Sequence, residues 1–130
     1  MSEMFLPRFM IAAPNSGSGK TTVVCALLKA LLDQEYKVAA FKSGPDYIDP
    51  MFHSRVIGAK SRNLDLFMLG RETTKHLLAK NAADCDIAVL EGAMGFYDGM
   101  GKTEQCSAYD LARVTKTPVI LVINGKGAAL

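Results

Sequence analysis

Four short apolar runs punctuate the chain, at Phe9–Ala13, Lys37–Phe41, Asp86–Leu90 and Pro118–Ile123. Each ends in turn-forming residues: a Gly/Ser-rich stretch, Gly44-Pro45, Glu91-Gly92 and Asn124-Gly125 respectively. Continuous apolarity, rather than strict alternation, predicts strands covered on both faces. Between the runs the period changes. Thr21 to Asp33 sets Val24, Leu27, Leu28, Leu31 and Leu32 at helical spacing. Arg71 to Ala83 carries Leu77 and Leu78 opposite a polar face, and Ser107 to Lys116 carries Tyr109, Leu111, Ala112 and Val114. Strands alternating with helices predict an α/β fold: a mostly parallel sheet with helices on both faces, built from right-handed β-α-β units. Gly44 to Gly70 fits neither period and is too long for an idle connection, so it is expected to be a functional insertion. A doubly wound sheet would continue past the last run. The chain is therefore expected to hold about four strands of a longer domain.

Bulk properties narrow the class without naming it. A length of 130 residues fits one domain, and 49% apolar with 22% charged residues is ordinary for a globular protein. A formal charge of +2, with Lys and Arg scattered, gives no basic tract for nucleic acid or a membrane surface. No apolar run approaches the roughly 20 residues that span a bilayer, and Met1 to Arg8 has no signal-peptide pattern. Cys25, Cys85 and Cys106 are odd in number and widely spaced. They read as small buried thiols in a reducing cytoplasm rather than as a metal cluster or a disulfide framework.

The strongest chemical signal lies between the first strand and the first helix, at Ala13-Pro14-Asn15-Ser16-Gly17-Ser18-Gly19-Lys20-Thr21-Thr22. Successive backbone N–H groups of such a turn wrap an anion, and the following helix adds its positive end. This is the order of a P-loop. Ser16, Gly17, Ser18, Gly19, Lys20, Thr21 and Thr22 are its candidate ATP-phosphate contacts. Lys20 supplies charge to the β- and γ-phosphates, and the Thr21 hydroxyl is a candidate Mg²⁺ ligand. The usual pattern has Gly six residues before the Lys; here that place is Pro14.

Acidic groups and one Lys follow the second and third strands. Ligands of open α/β sheets bind outside the carboxyl ends of strands, so these groups converge on the cradle. They are Lys42, Asp46 and Asp49, then Glu91 and Asp98. Asp49 before Pro50 and Asp98 before Gly99 serve equally well as turn formers. Glu91 ends an apolar strand directly, where a carboxylate is costly without a partner, so a metal or phosphate-network role fits it better. His76 falls in a partly polar helical pattern and reads as a surface residue. For His53, a substrate role and a structural role stand level.

Together these segments resemble the cobyrinate a,c-diamide synthases, amidotransferases of corrin biosynthesis. The likeness rests on Ser16-Gly-Ser-Gly-Lys-Thr-Thr22, Phe41-Lys-Ser-Gly-Pro-Asp-Tyr-Ile-Asp-Pro50, Ser61-Arg-Asn-Leu-Asp65 and Glu91-Gly-Ala-Met-Gly-Phe-Tyr-Asp-Gly99. The second segment is the selective one, since the P-loop is shared with many ATPases. The resemblance implies ATP- and Mg²⁺-dependent amidation of the c- and a-carboxylates of cobyrinic acid through acyl phosphates. Ammonia would come from glutamine at a C-terminal amidotransferase domain, normally in the same chain. Residues 1–130 would then be the N-terminal part of the ATP-binding synthetase domain. Such a piece would be inactive alone and would have no glutaminase nucleophile among its three cysteines.

By that analogy Lys42 bridges the γ-phosphate and the substrate carboxylate, and Asp46 and Glu91 join Thr21 around Mg²⁺. Tyr47, Ile48, Asp49 and Asp98 order the substrate and the intermediate, while Asn63 and Asp65 touch the corrin periphery. Similar enzymes act on hydrogenobyrinic acid or nickel-sirohydrochlorin, so the tetrapyrrole stays open, as does homodimerisation. A P-loop ATPase switch of the partitioning or metallochaperone type is the alternative. Against it, the chain lacks the extra Lys that such switches often carry early in the loop.

Overall fold

The computed structural model describes residues 5–14, 19–44, 60–92, 96 and 107–125. Five strands and three helices alternate along them: β1 (Arg8–Ala12), α1 (Lys20–Asp33), β2 (Val38–Ser43), β3 (Lys60–Leu64), α2 (Leu66–Asn81), β4 (Ile87–Glu91), α3 (Ala108–Thr115) and β5 (Val119–Leu121). All pair in parallel, in the order β3-β2-β4-β1-β5. The mostly parallel α/β architecture expected from the sequence is the one found.

Three of the four apolar runs became the central strands β1, β2 and β4, with both faces covered; the fourth, expected to be covered likewise, became the edge strand β5, where Ile120 and Leu121 are exposed. One face packs Ile11, Val38, Ala40 and Val89 against Val24 and Leu28 of α1. The other packs Met10, Ala12, Ala39, Phe41, Leu64, Ala88 and Leu90 against Leu78 from α2 and Ala108, Leu111 and Ala112 from α3. Fully burying one such Leu stabilises the fold by about 1.5–3 kcal/mol, so these two layers hold it together.

One strand was missed, and the count among the described residues is five rather than about four. β3, Lys-Ser-Arg-Asn-Leu, lies in the segment that showed no period. Among the described strands it sits at the sheet edge, paired only to β2, so little apolar side chain is demanded of it. Among its residues Leu64 reaches the core. α2 also begins earlier than expected, at Leu66. Asp65 caps its first turn by accepting hydrogen bonds from Phe67 N (3.1 Å) and Met68 N (3.4 Å). Gly70, at φ 77° and ψ 171°, breaks the helical path there, which is why helical periodicity becomes legible only from Arg71.

Candidate functional site

β4 lies between β2 and β1, although the chain visits β1, β2 and β3 before it. The connections leaving β2 and β4 therefore diverge, one to β3 at one edge and the other past β1 to β5 at the opposite edge, and the carboxyl ends of β1, β4 and β2 border the crevice where open α/β sheets take ligands. α1 begins at this end of β1. Its N-cap, Gly19, has φ 84° and ψ 13°, a left-handed conformation that costs glycine little and most other residues considerably more. The first turn of α1 contains no acidic residue to compete for its exposed N–H groups.

Register then sets the chemistry. Lys42 of β2 stands opposite Asn63 of β3 on one side and Glu91 of β4 on the other, and Glu91 stands opposite Ile11 of β1. Paired positions in a parallel ladder point to the same face, here the α1 face. Asn63, Lys42 and Glu91 thus form a polar row across three neighbouring strands. Lys42 is 5% exposed and Glu91 is 1% exposed. Lys42 Nζ donates to Glu91 Oε2 at 2.9 Å, and Thr21 Oγ1 donates to the same oxygen at 3.0 Å. The expected partner for the carboxylate at the end of an apolar strand is therefore present twice. Thr21 itself is exposed, so the cluster runs from solvent at the start of α1 down to a buried ion pair.

The remaining expected residues fall in three groups. Lys20, Thr21 and Thr22 open α1 directly after Gly19, beside this cluster. Asp65 lies just past β3, where its carboxylate caps α2, and Asn63 stands in the row beside Lys42. Ser16, Gly17, Ser18, Asp46, Tyr47, Ile48, Asp49, Asp98 and His53 lie outside the described residues. Gly92, which sequence reasoning passed over, follows Glu91 and lets β4 approach its neighbours closely. A Cβ there would stand 2.9 Å from that of Ala108 and 3.4 Å from that of Ala12. Its signal was a glycine immediately after a strand-ending carboxylate.

Among the described residues no group of three or more His, Cys, Asp or Glu side chains is placed to hold a metal. Mg²⁺ does not need one, because it takes one or two protein oxygens beside waters and phosphate oxygens. A hydroxyl and a carboxylate oxygen 3.0 Å apart at a helix N-terminus are hard donors of that kind, and the Thr21–Glu91 pair fits the ion. No helix among the described residues is long and apolar enough to cross a membrane.

A parallel sheet, a left-handed glycine opening a helix with Lys-Thr-Thr, and a strand-end carboxylate reaching that helix define a P-loop-type nucleotide-binding domain. The family model described as the CobQ/CobB/MinD/ParA nucleotide binding domain matches residues 9–124. The chain belongs to that family. It is 52% identical over 124 residues to a protein of Thermoplasma volcanium named cobyrinate a,c-diamide synthase, covering 95% of this chain and 27% of that relative. It is 47% identical over 119 residues to the cobyrinate a,c-diamide synthase of Saccharolobus solfataricus, covering 92% of this chain and 27% of the relative. A hydrogenobyrinate a,c-diamide synthase of Streptomyces coelicolor is 47% identical over 120 residues, covering 92% of this chain and 25% of the relative. The chain thus spans about a quarter of the length of these relatives, and its likeness to the diamide synthases runs along nearly all of it.

Proposed function

We propose that this chain forms the ATP-binding side of a site that amidates the a- and c-carboxylates of a cobyrinic-acid-type tetrapyrrole through acyl phosphates. The observation that carries the reading is the shared Glu91 oxygen, held by Lys42 at 2.9 Å and by Thr21 at 3.0 Å beside the start of α1. A carboxylate is a poor electrophile, and phosphorylation gives it a leaving group. Catalysis of that transfer consists mainly of positioning and charge neutralisation. Gly19, Lys20, Thr21 and Thr22, with Ser16, Gly17 and Ser18, hold the triphosphate. Lys42 lies between that cradle and the substrate carboxylate, where its charge offsets the charge of the transferring phosphoryl group. Glu91 fixes the Lys42 ammonium and, with Thr21 and Asp46, holds Mg²⁺. When bound, the ion neutralises phosphate oxygens. Tyr47, Ile48, Asp49 and Asp98 order the substrate. Nitrogen arrives as ammonia, released from glutamine by an amidotransferase domain.

The test uses cobyrinic acid carrying ¹⁸O in its carboxylates, incubated with the native protein, Mg-ATP and ammonia. An acyl phosphate leaves one labelled oxygen in inorganic phosphate for each amide formed. Amide formation with unlabelled phosphate would overturn the mechanism, and binding of Mg-ATP without any amidation would overturn the reaction.

A further inference from the structure

Asn63 completes the polar row, yet its side chain differs from its neighbours in one respect. Both Oδ1 and Nδ2 are buried, and neither has a hydrogen-bond partner among the described residues. A primary amide offers two donors and one acceptor, and a buried one is ordinarily satisfied. Here it stands directly beside Lys42, whose other strand neighbour is Glu91. The family resemblance implies a place for Asn63 at the periphery of the macrocycle. Its register position puts it one strand spacing, roughly 4.8 Å, from Lys42.

We propose that Asn63 binds the reacting group itself, pairing with the amide as it forms; this inference rests on the amidation reading above. Two primary amides are complementary when antiparallel, with each N–H opposite the other's carbonyl oxygen. A carboxylate offers acceptors only, so it uses Nδ2 and leaves Oδ1 without a donor. In the amidation step ammonia forms a C–N bond to the acyl carbon and the C–O bond to phosphate breaks. Phosphate leaves with the bonding electrons and takes the proton that the nitrogen sheds. As nitrogen bonds, Oδ1 gains an N–H to accept while Nδ2 still donates to the acyl oxygen. Asn63 is satisfied best late in the reaction, and an interaction that strengthens toward the transition state accelerates the chemical step. In the ligand-free protein the amide is left unmatched, a local cost characteristic of a site built for something else.

The experiment compares native protein with Asn63→Leu, similar in volume but without polar atoms, and with Asn63→Asp, which keeps an acceptor and loses the donor. Without ligands, Asn63→Leu is expected to melt at the same temperature or a few degrees higher, because it removes an unsatisfied amide. Ammonia-dependent kcat should fall on the order of 100-fold in both variants with KM for ATP unchanged. Cobyrinate a,c-diamide should raise the Tm of native protein and not that of Asn63→Leu. A lower Tm for the ligand-free Asn63→Leu would overturn the proposal in favour of a structural amide. A raised KM for ATP with normal kcat would overturn it in favour of a phosphate contact. If native protein amidates and both variants match it, the Asn63 inference falls alone. If native protein never amidates but the product-induced Tm shift is lost in Asn63→Leu, the amide contact stands and the reaction reading falls.

Discussion

Two rows on the same face of the same strands, one pleat apart, are built to opposite specifications. The inner row runs Ser61, Ala40, Val89 and Phe9, and the outer row runs Asn63, Lys42, Glu91 and Ile11. Ala40, Val89, Lys42 and Glu91 are all almost fully removed from solvent. Two residues along a strand, about 6.6 Å, separate a layer that packs against Leu28 from a layer that holds charge. The inner row stabilises the fold by area removed from water. The outer row gains its Coulomb energy only against a desolvation cost of similar size, so stability does not explain it. Burial alone therefore does not distinguish core from site. The kind of atom buried does.

The sharpest way to break that contrast is to remove one charge from the outer row. Lys42→Met takes the Lys42 ammonium from a Glu91 carboxylate that is 1% exposed, while the Thr21 hydroxyl still donates to its Oε2. The expected loss is about 3–5 kcal/mol of unfolding free energy, read from urea denaturation at neutral pH. Lys42→Met combined with Glu91→Leu converts the outer row into a copy of the inner one. That double variant is expected to regain most of the loss while ATP-dependent amidation stays abolished. A double variant as unstable as the single one would show that the pair is structural, and the comparison would collapse.

A smaller effect is expected at Gly92, just past the end of β4 and close against the start of α3. Gly92→Ala brings a Cβ to 2.9 Å from that of Ala108 at the start of α3. Relief requires α3 or the end of β4 to shift, at about 1–3 kcal/mol. Glu91 sits one residue away, so amidation should fall as well. Adding Ala108→Gly removes the opposing methyl carbon and is expected to restore most of the stability, leaving the smaller propensity cost of glycine in a helix. Thermal melts of the two single variants and the pair measure the coupling.

How much of this could be read in advance follows from the same contrast. β1, β2 and β4 were visible because both faces of a central parallel strand must be apolar, a demand written into Met10-Ile11-Ala12 and Ala88-Val89-Leu90. β3 was invisible because an edge strand makes that demand weakly, and Leu64 is its one residue in the core cluster. Glu91 was legible as an exception, a carboxylate ending an apolar run. Its pairing with Lys42 was not, since register between strands 49 positions apart is set by tertiary packing. Asn63 could be found only from a motif, because nothing in Ser-Arg-Asn-Leu says that the amide is buried beside a lysine.

Asp65 gives the smallest effect and separates two readings of one side chain. Its carboxylate caps α2 through Phe67 N and Met68 N, a local duty that Ser61-Arg-Asn-Leu-Asp65 shares with many helix starts. Asp65→Ala removes the cap and is expected to cost about 1 kcal/mol of stability. Asp65→Asn keeps an oxygen acceptor, and Asn caps helices about as well as Asp, so stability should hold. If Asp65 serves the helix alone, Asp65→Asn amidates at the native rate, and the functional row ends at Asn63. A several-fold loss of kcat or rise in KM for the tetrapyrrole in Asp65→Asn, at unchanged Tm, would extend the site past the end of β3. The negative charge itself would then contact the substrate.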